Sequence, residues 1–182
     1  MCNMSQKELL NNKEMSVTLQ RLACQLVENH HTFDNSVIIG LQPRGVALAE
    51  RLVSILEKDY QTKQLKFGKL DITFYRDDFR RSDKVLQANT TEIQFVVEGK
   101  RVIIIDDVLY TGRSIRSALT ALQSFGRPAE VELLCLIDRR FSRHLPIQPD
   151  YVGKHVDVIN EEKVKVNWSH NDNNNSVILI NE

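Results

Sequence analysis

A chain of 182 residues with 24 basic and 24 acidic side chains has zero formal charge, so its overall field draws in neither nucleic acid nor an anionic membrane, and any polyanion site must be a local patch. At 42% apolar and 26% charged residues it has the composition of an ordinary globular protein, long enough to bury about seventy per cent of the unfolded chain's surface in one domain. Cys2, Cys24 and Cys135 are an odd set without metal-ligand spacing, the five histidines show no zinc pattern, and no apolar run approaches a membrane span. Reduced thiols and a cytoplasmic location are expected, with no disulfide framework and no membrane anchor.

In chain order, Met1 to Met15 reads as a loose lead-in to an amphipathic helix in which Leu19, Leu22, Ala23, Leu26 and Val27 recur at helical spacing, with Ser16 as N-cap. Ser36 to Leu41 reads as a buried strand. It ends in a turn from Gly40 to Gly45, after which Val46, Ala49, Leu52, Val53 and Leu56 mark a second helix. Leu70, Ile72 and Phe74 alternate with Asp71, Thr73 and Tyr75, the period of a strand with one wet face. From Arg76 to about Thr91 the chain has few apolar residues and no helical period, which predicts a long loop of the kind that serves as a lid. Val131 to Ile137 is another buried strand, Asp138 to Pro149 a basic loop, and Tyr151 to Val156 a further extended run. Val164, Val166 and Trp168, then Val177 to Ile180, flank the polar turn Asn171 to Asn175 and predict a hairpin.

The stretch with the most chemistry runs from Val102 to Ser114. Val102 to Ile105 is a short β-branched run suited to a strand buried on both faces. Asp106 and Asp107 follow, then Thr111, Gly112, Arg113 and Ser114, and a helix whose apolar positions are Ile115, Ala118, Leu119 and Leu122, stopped by Gly126 and Pro128. In open α/β sheets ligands collect beyond the carboxyl ends of the strands. A helix start there offers unpaired N–H groups and the positive end of the helix dipole to a phosphate. The two carboxylates would repel that anion and suit sugar hydroxyls or a hydrated cation. A nucleoside-triphosphatase strand also runs apolar into Asp, but it needs a G-x-x-x-x-G-K-[ST] loop, which this sequence lacks. A solvated turn or a small Mg²⁺ pocket are the competing readings of the acidic pair.

This stretch resembles the phosphoribosyl pyrophosphate (PRPP) motif of type I phosphoribosyltransferases. Together with Asp71 to Asp78, Gly126-Arg127-Pro128, Leu145-Pro146-Ile147 and Asp150 to Lys154, it resembles the PyrR family, over a span from about Leu19 to Val166. The resemblance implies an α/β fold of the type I phosphoribosyltransferase class: one domain over 16–182, with a mostly parallel central sheet flanked by helices, a flexible loop over about 76–91 and a small C-terminal hood over about 156–182. It implies a Mg²⁺-dependent uracil phosphoribosyltransferase that makes UMP and pyrophosphate from uracil and PRPP. Asp106, Asp107 and Arg76 would be catalytic. Tyr110, Thr111, Gly112, Arg113 and Ser114 would hold the 5'-phosphate, and Gln42, Pro43, Arg44 and Gly45 the pyrophosphate. Mg²⁺ would be held mainly by PRPP and water near Asp106 and Asp107. Arg139 and Val158 would meet the base at the edge covered by the hood. Alternatives are an RNA-binding regulator of pyrimidine operon expression with UMP or PRPP as effectors, or a phosphoribosyltransferase for another base. A homodimer or higher homo-oligomer is expected.

Many members of that family bind pyrimidine-operon mRNA through a basic face, and here the sequence departs from the regulators. Gln20 and Cys24 replace a Thr and a His of the first helix. Pro43 stands where a Thr is common, Gln148 where the regulators carry Arg, and the loop from Arg139 to His144 is one residue longer. Arg140, Arg143 and Lys154 are the cations left to form an RNA patch. Weak binding of pyr mRNA is therefore expected.

Overall fold

A computed structural model describes residues 6–63, 65–76, 88–157, 162–169 and 173–180. Five parallel strands form its central sheet: β2 (Ser36–Leu41), β3 (Phe67–Leu70), β4 (Arg101–Leu109), β5 (Glu130–Arg140) and β6 (Tyr151–Asp157), in the order β3-β2-β4-β5-β6. The remaining strands, β1 (Gln6–Leu10), β7 (Lys163–Asn167) and β8 (Ser176–Ile180), make a separate antiparallel sheet in the order β1-β8-β7.

The period-two alternation of a strand divides the core in two. Ile38, Ile103, Ile105, Leu134 and Leu136 pack with Leu22 and Leu26 of α1 (Asn12–His30) and with Leu48 and Leu52 of α2 (Arg44–Asp59). Their strand neighbours Val37, Ile39, Val102, Ile104 and Cys135 pack on the other face, with Ile115, Ala118 and Leu122 of α3 (Arg113–Leu122). Because both faces are covered, the strands read as continuous apolar runs.

Several boundaries differ from the sequence reading. The expected loose lead-in contains a strand: β1 pairs antiparallel with β8 and completes the small sheet. Helix α1 starts four residues before Ser16, capped by Asn11, whose side chain accepts from the Glu14 N–H while the Glu14 carboxylate accepts from the Asn11 N–H. That reciprocal box satisfies two orphan donors, which Ser16 cannot do from inside the helix. The hood is built from β1, β7 and β8, whereas Val156 and Asp157 belong to β6 of the main sheet. Strand β3 stops at Leu70 and a 3₁₀ turn spans Thr73–Tyr75, so Phe74 is exposed rather than half-buried. The Asp71 carboxylate causes the stop, accepting from the N–H and hydroxyl of Thr73 at 2.9 and 2.6 Å.

At the amino ends of the strands, away from the crevice described below, lies a buried polar cluster. Glu132 of β5 accepts from Tyr151 of β6 at 2.7 Å and from His30 of α1 at 2.9 Å, and its other oxygen meets Arg101 of β4 at 2.5 Å. His30 Nδ1 pairs with the hydroxyl of Ser36 of β2 at 2.8 Å. Since Nε2 faces a carboxylate it carries the proton, and Nδ1 accepts from Ser36. Four strands and the end of α1 are thus tied through one carboxylate.

Candidate active site

The chain leaves β2 for α2 toward β3, and leaves β4 for α3 toward β5, so the order of strands reverses between β2 and β4. A crevice must open where the two connections part, outside the carboxyl ends of these strands. Arg44 starts α2 on one side of it and Arg113 starts α3 on the other. Gly45 permits the first: a Cβ there would lie 2.3 Å from the Ile105 carbonyl oxygen, so only glycine lets the start of α2 press onto β4 beside Asp106. Gly112, at φ 88°, makes the left-handed turn that precedes α3.

Asp106 and Asp107 lie within β4, which extends to Leu109, rather than beyond its end. Strand alternation separates them. Asp106 joins Thr111, Gly112, Arg113, Ser114 and Arg76 around a cavity of about 180 Å³ at the start of α3. An adjoining cavity of about 420 Å³ is bordered by both carboxylates, Gln42, Pro43, Arg44, Arg76, Tyr110, Arg139 and Val164. The expected 5'-phosphate turn, pyrophosphate turn, carboxylates and Arg76 therefore converge on one crevice.

Burial, and next the Asp107 carboxylate, push Asp106 up to about 8. Burial also raises Asp107, against the pull of the Arg44 guanidinium. Two carboxylates on adjacent residues resist joint ionisation in a partly dry crevice until a cationic partner arrives. Asp107 Oδ2 is buried with no hydrogen-bond partner among the described residues, which suits a hydroxyl or a hydrated cation supplied by a ligand. Among the described residues no group of three or more His, Cys, Asp or Glu side chains gathers around a metal position. The two carboxylates fit a hard cation only if substrate oxygens and water complete its shell.

Arg139, expected as a base contact, is buried in β5 with its guanidinium carbon 4.0 Å from the centroid of the Tyr110 ring, and its Nε has no partner among the described residues. Val158, the other expected base contact, lies outside the described residues, as do residues 77–87 of the expected lid. The far end of that loop is anchored. Asp71 Oδ2 accepts from the Asn89 N–H at 2.6 Å, the Asp71 N–H donates to Thr91 at 3.1 Å, and Gln42 donates to the Thr90 carbonyl at 2.6 Å. Asp71 thus holds both ends of the loop. The short Asp-Ile-Thr pattern signals its local turn, but nothing in sequence signals its bond to Asn89.

The cations expected to form an RNA patch are engaged within the protein. Arg140 pairs with Asp157 through both ends of its guanidinium, at 2.6 and 2.8 Å, and Lys154 donates to the Leu9 carbonyl at 2.7 Å. Arg143, partly exposed, turns to Asp138 and a set of backbone carbonyls. Gln20 is likewise tied to Asp59, at 2.8 Å.

A parallel five-stranded sheet with flanking helices, and an acidic pair between two strand-to-helix turns at the reversal of strand order, is the architecture of the type I phosphoribosyltransferase class. Residues 5–170 match the phosphoribosyl transferase domain family. The hypoxanthine phosphoribosyltransferase of Staphylococcus aureus shares the fold with a TM-score of 0.66 at 24% identity, over 87% of this chain and 80% of that one. That of Trypanosoma cruzi, in complex with the product IMP, does so with a TM-score of 0.68 at 18% identity, over 87% and 82%. In sequence, the chain is 42% identical to the bifunctional protein PyrR of Actinobacillus pleuropneumoniae over 96% of its length and 97% of that protein's. It is 39% identical to the pyrimidine operon regulatory protein of Lactococcus lactis subsp. cremoris over 98% and 99%. The chain belongs to the PyrR family of phosphoribosyltransferases.

Proposed function

We propose that the protein transfers ribose 5-phosphate from PRPP to uracil, yielding UMP and pyrophosphate. The observation that carries this reading is the acidic pair between the turns before α2 and α3, with one buried carboxylate oxygen of Asp107 left without a partner among the described residues. Thr111 to Ser114 hold the 5'-phosphate through N–H and hydroxyl groups at the start of α3. Arg44, with Gln42 and the backbone around Pro43 and Gly45, receives the pyrophosphate, and Arg76 stands between the two anion sites. As the bond from the anomeric carbon to pyrophosphate breaks and the bond to N1 of uracil forms, positive charge grows on the ribose and the N1 proton passes to solvent or to the departing pyrophosphate. Asp106 and Asp107 face that charge and bind the ribose hydroxyls, with no covalent intermediate. Mg²⁺, when bound with PRPP, neutralises the leaving pyrophosphate. Arg139 and Val164, which border the larger cavity, meet the flat base.

The test is a steady-state assay of PRPP with uracil, orotate, guanine, hypoxanthine and adenine, with and without Mg²⁺. UMP should form with uracil and require Mg²⁺. Product with a purine and none with uracil would reverse the base assignment.

The name of one relative, a pyrimidine operon regulatory protein, makes operon regulation through RNA the second reading, and the contacts that Arg140, Arg143, Lys154 and Gln20 make within the protein weigh against a strong RNA face. Phosphate contacts by free cations supply most of the salt-dependent affinity for RNA, and a neutral chain has no long-range substitute. In a gel-shift titration with uridine nucleotide at physiological salt, the cognate leader RNA should bind no better than an unrelated hairpin. Specific affinity tighter than about 10⁻⁷ M would establish the regulatory reading instead.

A further inference from the structure

The geometry points to Arg143 as the residue that positions the phosphate-binding turn before α3, acting on its backbone from behind. The inference rests on the reading of Thr111 to Ser114 as a phosphate site. After β5 the chain turns at Phe141, which has the left-handed φ of 64°, and comes back beneath the end of β4. There the Arg143 guanidinium donates to the carbonyls of Leu109 at 3.3 Å and Arg139 at 3.2 Å, to the Tyr110 carbonyl, and to the Asp138 carboxylate. Its Nε donates to the Ile147 carbonyl at 3.1 Å, closing the 143–147 segment on itself. The next residue continues the pattern, since the His144 N–H donates to the Thr111 carbonyl at 3.1 Å.

Three successive carbonyls, those of Leu109, Tyr110 and Thr111, are therefore held on one side by Arg143 and His144. Each trans peptide places its N–H opposite its carbonyl, so fixing the carbonyls of Tyr110 and Thr111 fixes the N–H groups of Thr111 and Gly112 on the other side. The cavity lies on that other side, because Thr111 and Gly112 line it and no residue from 141 to 147 does. Ile147 and Leu145 back the same turn: a Cβ on Gly112 would lie 3.2 Å from Ile147 Cδ1 and 3.5 Å from Leu145 Cβ. Turning a run of amides toward an anion costs energy unless their carbonyls are satisfied elsewhere, and one half-buried guanidinium satisfies two of the three. Asp138, also bound to His155 at 3.1 Å, keeps that guanidinium in place. Arg143 touches no substrate in this arrangement and is a positioning residue.

The experiment measures binding of ribose 5-phosphate and of pyrophosphate, separately, to the full chain and to Arg143→Ala, Arg143→Lys and Asp138→Asn, by calorimetry with circular dichroism as a check on folding. Arg143→Ala should weaken ribose 5-phosphate by about tenfold or more, the range of one charge-assisted contact, and leave pyrophosphate within about twofold. Arg143→Lys, which keeps the charge but cannot span the carbonyls and Asp138, should fall between. Asp138→Asn should shift the same ratio by a smaller factor, and it tests the proposal even if Arg143→Ala does not fold. Equal loss for both ligands would mean general loosening and overturn the inference, as would no change in either. Failure of the unaltered chain to bind ribose 5-phosphate would overturn the phosphate site with it. Failure to use uracil alongside a selective loss of ribose 5-phosphate would fault only the choice of base.

Discussion

Asp107→Asn should lower kcat for UMP formation by about 10²- to 10³-fold, the usual cost of removing one preorganised electrostatic group, while the substituted chain still folds. The amide is nearly isosteric but puts no negative charge against the developing ribosyl cation. KM for PRPP should change much less, because the phosphate turns are untouched. A variant with the kcat of the unaltered protein would show that Asp107 has no electrostatic role. A second readout separates charge from shape. Asp106 is pushed up to about 8 by burial and by Asp107, whereas an unfolded Asp titrates near about 4. Between these values the folded state holds more protons than the unfolded one, so this residue makes stability fall as pH rises from about 4 to about 8. Replacing either member of the pair relieves that burden. The ligand-free Asp106→Asn and Asp107→Asn proteins should melt above the unaltered chain at pH 8, by about 3 °C or more, and converge with it near pH 4. A lower melting temperature at pH 8 would contradict the crowding of two carboxylates inferred from the structure.

Glu132→Ala should cost about 3–5 kcal/mol of folding free energy, or roughly 10 °C in melting temperature, although Glu132 lies at the opposite end of the strands from the crevice. Its removal leaves the Tyr151 hydroxyl, the His30 N–H and part of the Arg101 guanidinium facing a void. Burial alone would raise the Glu132 carboxyl, but Tyr151, His30 and Arg101 outweigh it and hold it below the ordinary range. Burial lowers His30 despite that carboxylate, so the imidazole is neutral in the fold near pH 7. Both shifts act in one direction. As pH falls below about 6.5 the unfolded histidine takes up a proton that the folded one refuses, and below about 4.3 the unfolded glutamate does the same. The unaltered protein should therefore lose stability on acidification through both windows, whereas Glu132→Ala should keep the histidine window, since Glu132 raises His30, and lose the glutamate one. Urea unfolding at pH 7, 5, 4 and 3 measures this. A loss below about 1 kcal/mol at pH 7 would reduce the cluster to an incidental contact.

Periodicity located most of the elements because both faces of the main sheet are covered. Burial on both sides made Val102 to Ile105 a continuous apolar run, and amphipathic spacing marked α1, α2 and α3. Where signals were local they misled at the edges. Ser16 looked like a cap, but the reciprocal bond between Asn11 and Glu14 starts α1 earlier. Phe74 kept the alternation of a strand, yet the bonds of Asp71 to Thr73 turn the chain at that point.

The sequence by itself determined the type of site: an acidic pair on a buried strand, followed by a small turn and a helix start, with a second arginine-bearing turn elsewhere. Those depend on residue type and short spacing, which a linear string preserves. Only the tertiary structure decided that Gln6–Leu10 completes the hood, that Asp71 holds the base of the loop after Tyr75, and that Arg143 donates to the backbone of the turn before α3. Each of these is a hydrogen bond between residues distant in sequence or a choice between two directions for one long side chain. A long arginine reads as exposed by composition. Whether it points to solvent or folds back is set by the unpaired carbonyls that packing places beside it, and here those belong to Leu109 and Tyr110, more than thirty residues earlier in the chain.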